Sequence, residues 1–179
     1  MTLEESIATF DQVVHPKTSR SALTYQAVES WAVHEITRNR HYYLTYSGEL
    51  PYTKRLYRDG IDFALRRYHE YCIKQRIGHH YVQADLKEKG VFEHMVPLCT
   101  IRDMVIAGVI RPIQGCKMPM CRISKANDKL LREAGLASAT PDIFNFWKRY
   151  NCIDAVFTTY QYTKVDKSMT LDDHFKLFA

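Results

Sequence analysis

Apolar positions recur at helical spacing through most of the chain. Val28, Trp31, Ala32 and Ile36 give one buried face to a first helix. The pattern starts it after Ser19 or Ser21, since serine caps a helix N-terminus well, and stops it before His41-Tyr42-Tyr43. His15-Pro16 marks a turn ahead of it, and Ser47-Gly48-Glu49-Leu50-Pro51 a loop behind it. A long helix is predicted from about Thr53 to Gln75, with Ile61, Leu65, Tyr68 and Cys72 on one stripe. Arg55, Asp62 and Arg66 lie on its polar face, and Gly60 weakens its start. Gly78 breaks it, and a shorter helix is expected over Val82 to Lys89 with Gly90 as its C-cap.

The next stretch changes period. Val91 to Val96 reads as a short strand, because Pro97 forces the residue before it towards extended geometry. Pro97 also opens a helix from Leu98 to Ala107, with Leu98, Ile101 and Val105 inward and Gly108 at its end. Met120 to Ile123 reads as a second strand. Ser124 caps a helix from Lys125 to about Ala134, stopped by Gly135, and helices over Asp142–Tyr150 and Leu171–Phe178 complete the chain. The expected class is mainly α with a small β-hairpin (α+β), in a single compact domain over residues 1–179. Residues 1–90 form a helical, basic, tyrosine-rich portion, 91–135 a two-strand core with an inserted helix, and 136–179 a helical C-terminal portion.

Composition narrows the class. The chain has 179 residues, 46% hydrophobic and 25% charged, enough for one domain with its own core. Seven Gly and six Pro are too few for a fibrous or disordered protein. The first residues carry Glu4, Glu5 and Asp11 without an apolar signal core. The longest apolar run, Met104 to Ile110, falls far short of the roughly 20 residues of a membrane-spanning helix. No membrane association is therefore expected. Five cysteines at irregular spacing suggest no disulfide framework, and a cytoplasmic setting follows. Cys116 and Cys121 are too loosely spaced for a structural zinc, so buried thiols are expected instead. His79-His80 reads as a surface pair at a helix end.

Charge is uneven. Between Arg38 and Arg76 stand nine basic and four acidic residues, a surplus of five that equals the +5 of the whole chain. Eight of the twelve tyrosines lie between Tyr42 and Tyr81. Basic side chains bind phosphates and aromatic rings stack on unpaired bases, so an anionic partner is expected. Arg55, Arg58, Arg66 and Arg67 are the candidate phosphate contacts, joined by Lys117, Arg122 and Lys125 nearer the hairpin. The same pattern also describes an amphipathic helix with Tyr57, Tyr68 and Tyr71 in or near a core and arginines solvating its outside. The sequence has no Gly-rich phosphate loop, no dinucleotide fingerprint and no serine-nucleophile motif.

The segment Glu93-His94-Met95-Val96-Pro97-Leu98 resembles the opening motif of HNH-type (ββα-metal) nucleases, with Met120 to Ala134 as its second half. The resemblance covers Val91 to Ala134. It implies a hairpin and helix in which His94 acts as general base against a phosphodiester, while Glu93 and Asn127 hold Mg²⁺ or Mn²⁺. Asp128 is the better hard-cation ligand by chemistry, but neighbours on a helix diverge by about 100°, so one of the two at most faces the ion. An inserted helix separates the halves, and the family's central asparagine is not evident. Strand geometry adds a condition: Glu93 and His94 point to opposite faces unless the backbone turns between them. Two functions follow: a metal-dependent endonuclease acting on DNA or RNA, or a non-catalytic basic module that binds nucleic acid or a protein partner.

Overall fold

The computed structural model describes residues 25–76, 79–87, 89–161 and 163–178. The expected turn at His15-Pro16, the helix start at Ser19 or Ser21 and the break at Gly78 lie outside them. Among the described residues the chain is mainly helical with one four-stranded sheet, the α+β class that the patterning predicts. Its contacts divide into two compact units. One holds the described residues up to Tyr71 together with Arg102–Cys116; the other holds Cys72–Ile101 and the described residues from Lys117 onward. No helix among the described residues is long and apolar enough to cross a membrane.

The first unit is built on helices α1 (Tyr25–Thr45) and α2 (Pro51–Gln75, in this unit as far as Tyr71). Val28, Trp31, Ala32 and Ile36 are buried as their spacing requires, and so are Ile61, Leu65 and Tyr68 of the α2 stripe. Helix α1 does not stop at His41. It continues through the aromatic stretch because Tyr42 stacks on Tyr57 at 5.3 Å and packing outweighs the weak helix propensity of tyrosine. Gly60 has a positive reason to be in mid-helix: a Cβ there would stand 2.5 Å from Asn39 Oδ1, so the glycine lets α1 and α2 approach. Helix α3 (Leu98–Ala107, in this unit from Arg102) has the predicted bounds. Its last carbonyls, Val105 O and Ile106 O, accept from Arg40 Nε at 2.7 and 3.3 Å. A short helix α4 (Pro112–Cys116) occupies the expected connection and packs on α1. His69 is fully buried, its Nε2 donating to Cys116 O at 2.9 Å.

The second unit carries the sheet. Strands β1 (His80–Gln83), β2 (Val91–His94), β3 (Met120–Ile123) and β4 (Phe157–Thr159) lie in the order β2-β3-β1-β4. β2 and β3 form the expected antiparallel pair, with Glu93 opposite Cys121 and His94 opposite Met120. β1 then joins β3 in parallel and β4 antiparallel. Three expectations are corrected here. The described residues of Val82 to Lys89 hold the end of β1 and a turn, not a helix, because Tyr81 and Val82 find ladder partners on both sides. His79 and His80 are buried rather than exposed, since β1 is a central strand. Asp142 to Tyr150 is reduced to a 3₁₀ turn, Phe146–Tyr150.

One face of this sheet is closed by aromatic packing. Tyr81 meets Trp147 at 5.1 Å, and Trp147 meets Phe157 at 5.0 Å. Helix α5 (Lys125–Glu133) starts where Ser124 accepts from the Asn127 amide at 3.2 Å. Helix α6 (Leu171–Leu177) starts in a capping box of Thr170 and Asp173. It brings His174 into the core, where Nδ1 accepts from the Tyr81 hydroxyl at 2.6 Å and Nε2 donates to Lys117 O at 2.9 Å.

Gly90 and Gly135 give a paired test of this geometry. Both have positive φ, +68° and +71°. A Cβ on Gly90 would lie 2.8 Å from the Ile123 carbonyl oxygen, whereas one on Gly135 would meet nothing within 4 Å. Gly135→Ala should therefore cost about 1 kcal/mol, the left-handed backbone penalty alone. Gly90→Ala should cost about 2 kcal/mol or more, because the β3 backbone must also shift. Urea midpoints of the two variants check this, and equal losses would contradict the packing at Gly90.

Candidate functional site

Strand alternation decides what the motif residues can do. β2 stays regular through His94, so Val91 and Glu93 leave one face of the sheet and Phe92 and His94 the other. The Glu93 carboxylate accepts from Arg149 Nη2 on the closed face. The His94 ring lies against that of Phe92, centroids 4.6 Å apart, on the opposite face. The base and the acid implied by the nuclease resemblance are thus not brought together.

The other proposed ligands have protein partners of their own. Asn127 Nδ2 donates to Gln83 Oε1 at 2.8 Å, which ties the first turn of α5 to β1. Asp128 sits in an ion pair with Arg132 at 3.0 Å. Its charge is near enough to Glu93 to oppose that carboxyl's ionisation. Burial pushes the Glu93 carboxyl up, and Arg149 partly restores it. Among the described residues there is no group of three His, Cys, Asp or Glu side chains placed to hold a metal ion. Glu93, Asn127 and Asp128 do not fit a single Mg²⁺ or Mn²⁺ site with His94, because two of their side chains are committed to arginines and the third to Gln83.

Arg149, which the sequence reading passed over, organises the closed face. It is completely buried, and its guanidinium donates to Glu93 and to four carbonyls: His94 O, Met95 O at 3.3 Å, Leu136 O at 2.8 Å and Ala137 O at 3.0 Å. The planar fork of arginine suits such divergent acceptors. The flanking Phe146-Trp147 and Tyr150 were the available signal, since a cation set among large aromatics must be buried with a partner.

On α2 the arginines are partly offset. Arg55 pairs with Asp59 at 3.7 Å, and Arg67 pairs with Glu70 at 3.5 Å while stacking over Phe63 at 5.3 Å. Asp62 is taken by Arg102 at 2.8 Å. Arg58 is half-buried, its Nε without a hydrogen-bond partner among the described residues, and Arg66 is exposed. This helix presents mixed charge rather than a basic stripe.

The second face of the sheet is different. Cross-strand register puts Phe92, Arg122, Val82 and Thr158 in one row over all four strands. All four are half-buried. Arg122, one of the residues singled out from sequence, is therefore in the middle of a platform with Phe92 and His94 on one side. Lys125 is exposed at the start of α5, and Lys117 is half-buried with its carbonyl on His174.

On the other side of Arg122 the face deepens into a cavity of about 440 Å³. Val82, Arg122 and Thr158 line it together with Thr159, Tyr160, Arg76, and Leu86 and Lys89 of the loop after β1. Among the described lining residues three are cationic and none is acidic. Burial raises the Tyr160 hydroxyl above the usual phenol range, and Arg122 and Arg76 pull it back. That hydroxyl is buried without a hydrogen-bond partner among the described residues. Thr158 to Tyr160 were missed from sequence, although Val156-Phe157-Thr158-Thr159-Tyr160 is a β-branched and aromatic run of the kind strands favour.

Compared with known proteins, the chain matches no family model, no curated protein and no solved structure.

Proposed function

We propose that the protein is a non-catalytic nucleic-acid-binding module, which lays an unpaired strand along the second face of its sheet. The observation that carries this reading is the cross-strand row, where Arg122 stands between the Phe92 and His94 rings and a cavity lined by cations. Rings on a sheet offer stacking surfaces to bases of any sequence, and arginine neutralises the backbone between them. Duplex DNA, with its bases enclosed, would gain only the charge contribution.

Fluorescence anisotropy with short single-stranded oligonucleotides tests this. Binding should weaken steeply as salt rises. Phe92→Ala should reduce affinity by roughly five- to a hundredfold, from the loss of about 1–3 kcal/mol of stacking. Arg122→Ala should flatten the salt dependence by about one phosphate. Affinity indifferent to Phe92, Arg122 and salt would defeat the proposal and favour a protein partner. The oligonucleotides should stay intact with Mg²⁺ or Mn²⁺. Metal-dependent cleavage that His94→Ala abolishes would reinstate the nuclease reading of the motif.

A further inference from the structure

We infer that the cavity beside Arg122 binds a phosphate monoester, such as the terminal phosphate of a nucleic-acid strand. The inference rests on the proposed nucleic-acid reading and names the part of the ligand that this end of the platform would take. Its volume, about 440 Å³, is within the ~300–1,000 Å³ of small-ligand pockets, so it suits one nucleotide rather than a passing backbone. Arg76, Lys89 and Arg122 supply three positive charges, with no carboxylate among the described lining residues. A monoester carries about two negative charges near neutral pH and three acceptor oxygens, against one charge for an internal diester. Cations and hydroxyls converging in a concave site favour the monoester.

Two independent features point the same way. The Tyr160 hydroxyl is buried with no acceptor or donor for it among the described residues, a cost that a ligand oxygen would remove. Arg76 sits at φ 55°, in the left-handed region where helices ordinarily end on glycine. The Tyr160 ring also covers the buried His80 ring, centroids 3.9 Å apart, and the side chains of both Tyr160 and Arg76 line the cavity.

The same chemistry occurs on a strand end and on a free mononucleotide, so the test uses both. Anisotropy and calorimetry would compare short single strands bearing a 5′-phosphate, a 3′-phosphate or neither, and a nucleoside monophosphate alone. One phosphorylated strand should bind at least about tenfold tighter than the unphosphorylated one. Arg76→Gly and Tyr160→Phe should each erase most of that difference while their melting temperatures stay at or above that of the unaltered protein, since each removes a local cost. A variant that loses both the preference and its stability would show a structural role and overturn the inference. Equal binding of all strands, with no mononucleotide binding, would overturn the cavity assignment and leave the platform standing. Mononucleotide binding lost in Arg76→Gly, with no strand bound, would keep the cavity and overturn the nucleic-acid module. If nothing binds, both readings fall.

Discussion

Replacing Arg149 with methionine is expected to destabilise the protein by about 3–5 kcal/mol, the range for breaking a buried ion pair on one side. The loss is large because Arg149 does more than neutralise Glu93. Its guanidinium also donates to the carbonyls of residues 94, 95, 136 and 137, all of which lose that donor once it is gone, and its bond to Met95 O is fully buried. Against a typical total of ~5–15 kcal/mol, the variant is near the edge of folding. Arg149→Lys should recover only part of the loss, since an ammonium cannot reach acceptors on both the β2 end and the 136–137 loop. Glu93→Gln keeps an acceptor for Arg149 and should lose less, about 1–2 kcal/mol. Urea denaturation of the three variants measures the ranking. If Arg149→Met shifts the midpoint by no more than a surface substitution, the fold does not depend on this pairing.

The second large effect is acid lability, from two buried histidines, His69 in the first unit and His174 in the second. Burial pulls His69 and His174 down to about 4. Both are then neutral in the folded chain at mildly acid pH, while the unfolded chain takes up protons near 6.5. Their contribution is whole above about pH 6.5, is lost as pH falls towards 4, and reaches a floor below that. Each histidine accounts for up to about 3 kcal/mol over this window. The hydrogen bonds of His174 enforce the neutral form, with Nε2 donating to Lys117 O and Nδ1 accepting from Tyr81. Glu93 and Asp62, whose carboxyls burial raises, act with the opposite sign and soften the low end of the window. Stability measured from pH 7.5 to 4.5 should fall with a slope of between one and two protons, and His174→Gln should reduce that slope by about one. A flat profile would mean that these rings meet protons in the folded state.

The parts of the fold that could be read in advance are those marked by local chemistry. Helix α3 and strand β3 have the expected ends because Pro97, Gly108 and Ser124 bracket them. Strands β1 and β4 have no such marks. β1 is defined by its parallel pairing with β3, some forty residues further on, and a four-residue segment holds too few periods to distinguish strand from helix. The motif Glu93-His94 was visible, but whether it made a site depended on one backbone detail, the regularity of β2 through His94. Arg122 was singled out for its charge; its place between rings and cavity came from cross-strand register, which sequence spacing does not encode. Tyr160 and Arg76 stood out only once burial and φ were known.

The division into two units has a practical corollary for anyone cutting the gene. The chain leaves the first unit after Tyr71, comes back to it for Arg102–Cys116, and only then completes the second. Neither unit is therefore one uninterrupted stretch of coding sequence. A fragment ending at Tyr71 would strand His69 without the Cys116 carbonyl, and one beginning at Cys72 would carry α4 without the α1 surface it covers. Deletion series would report collapse at both ends, and a working half would need two segments rejoined by a new linker across the 101–117 gap.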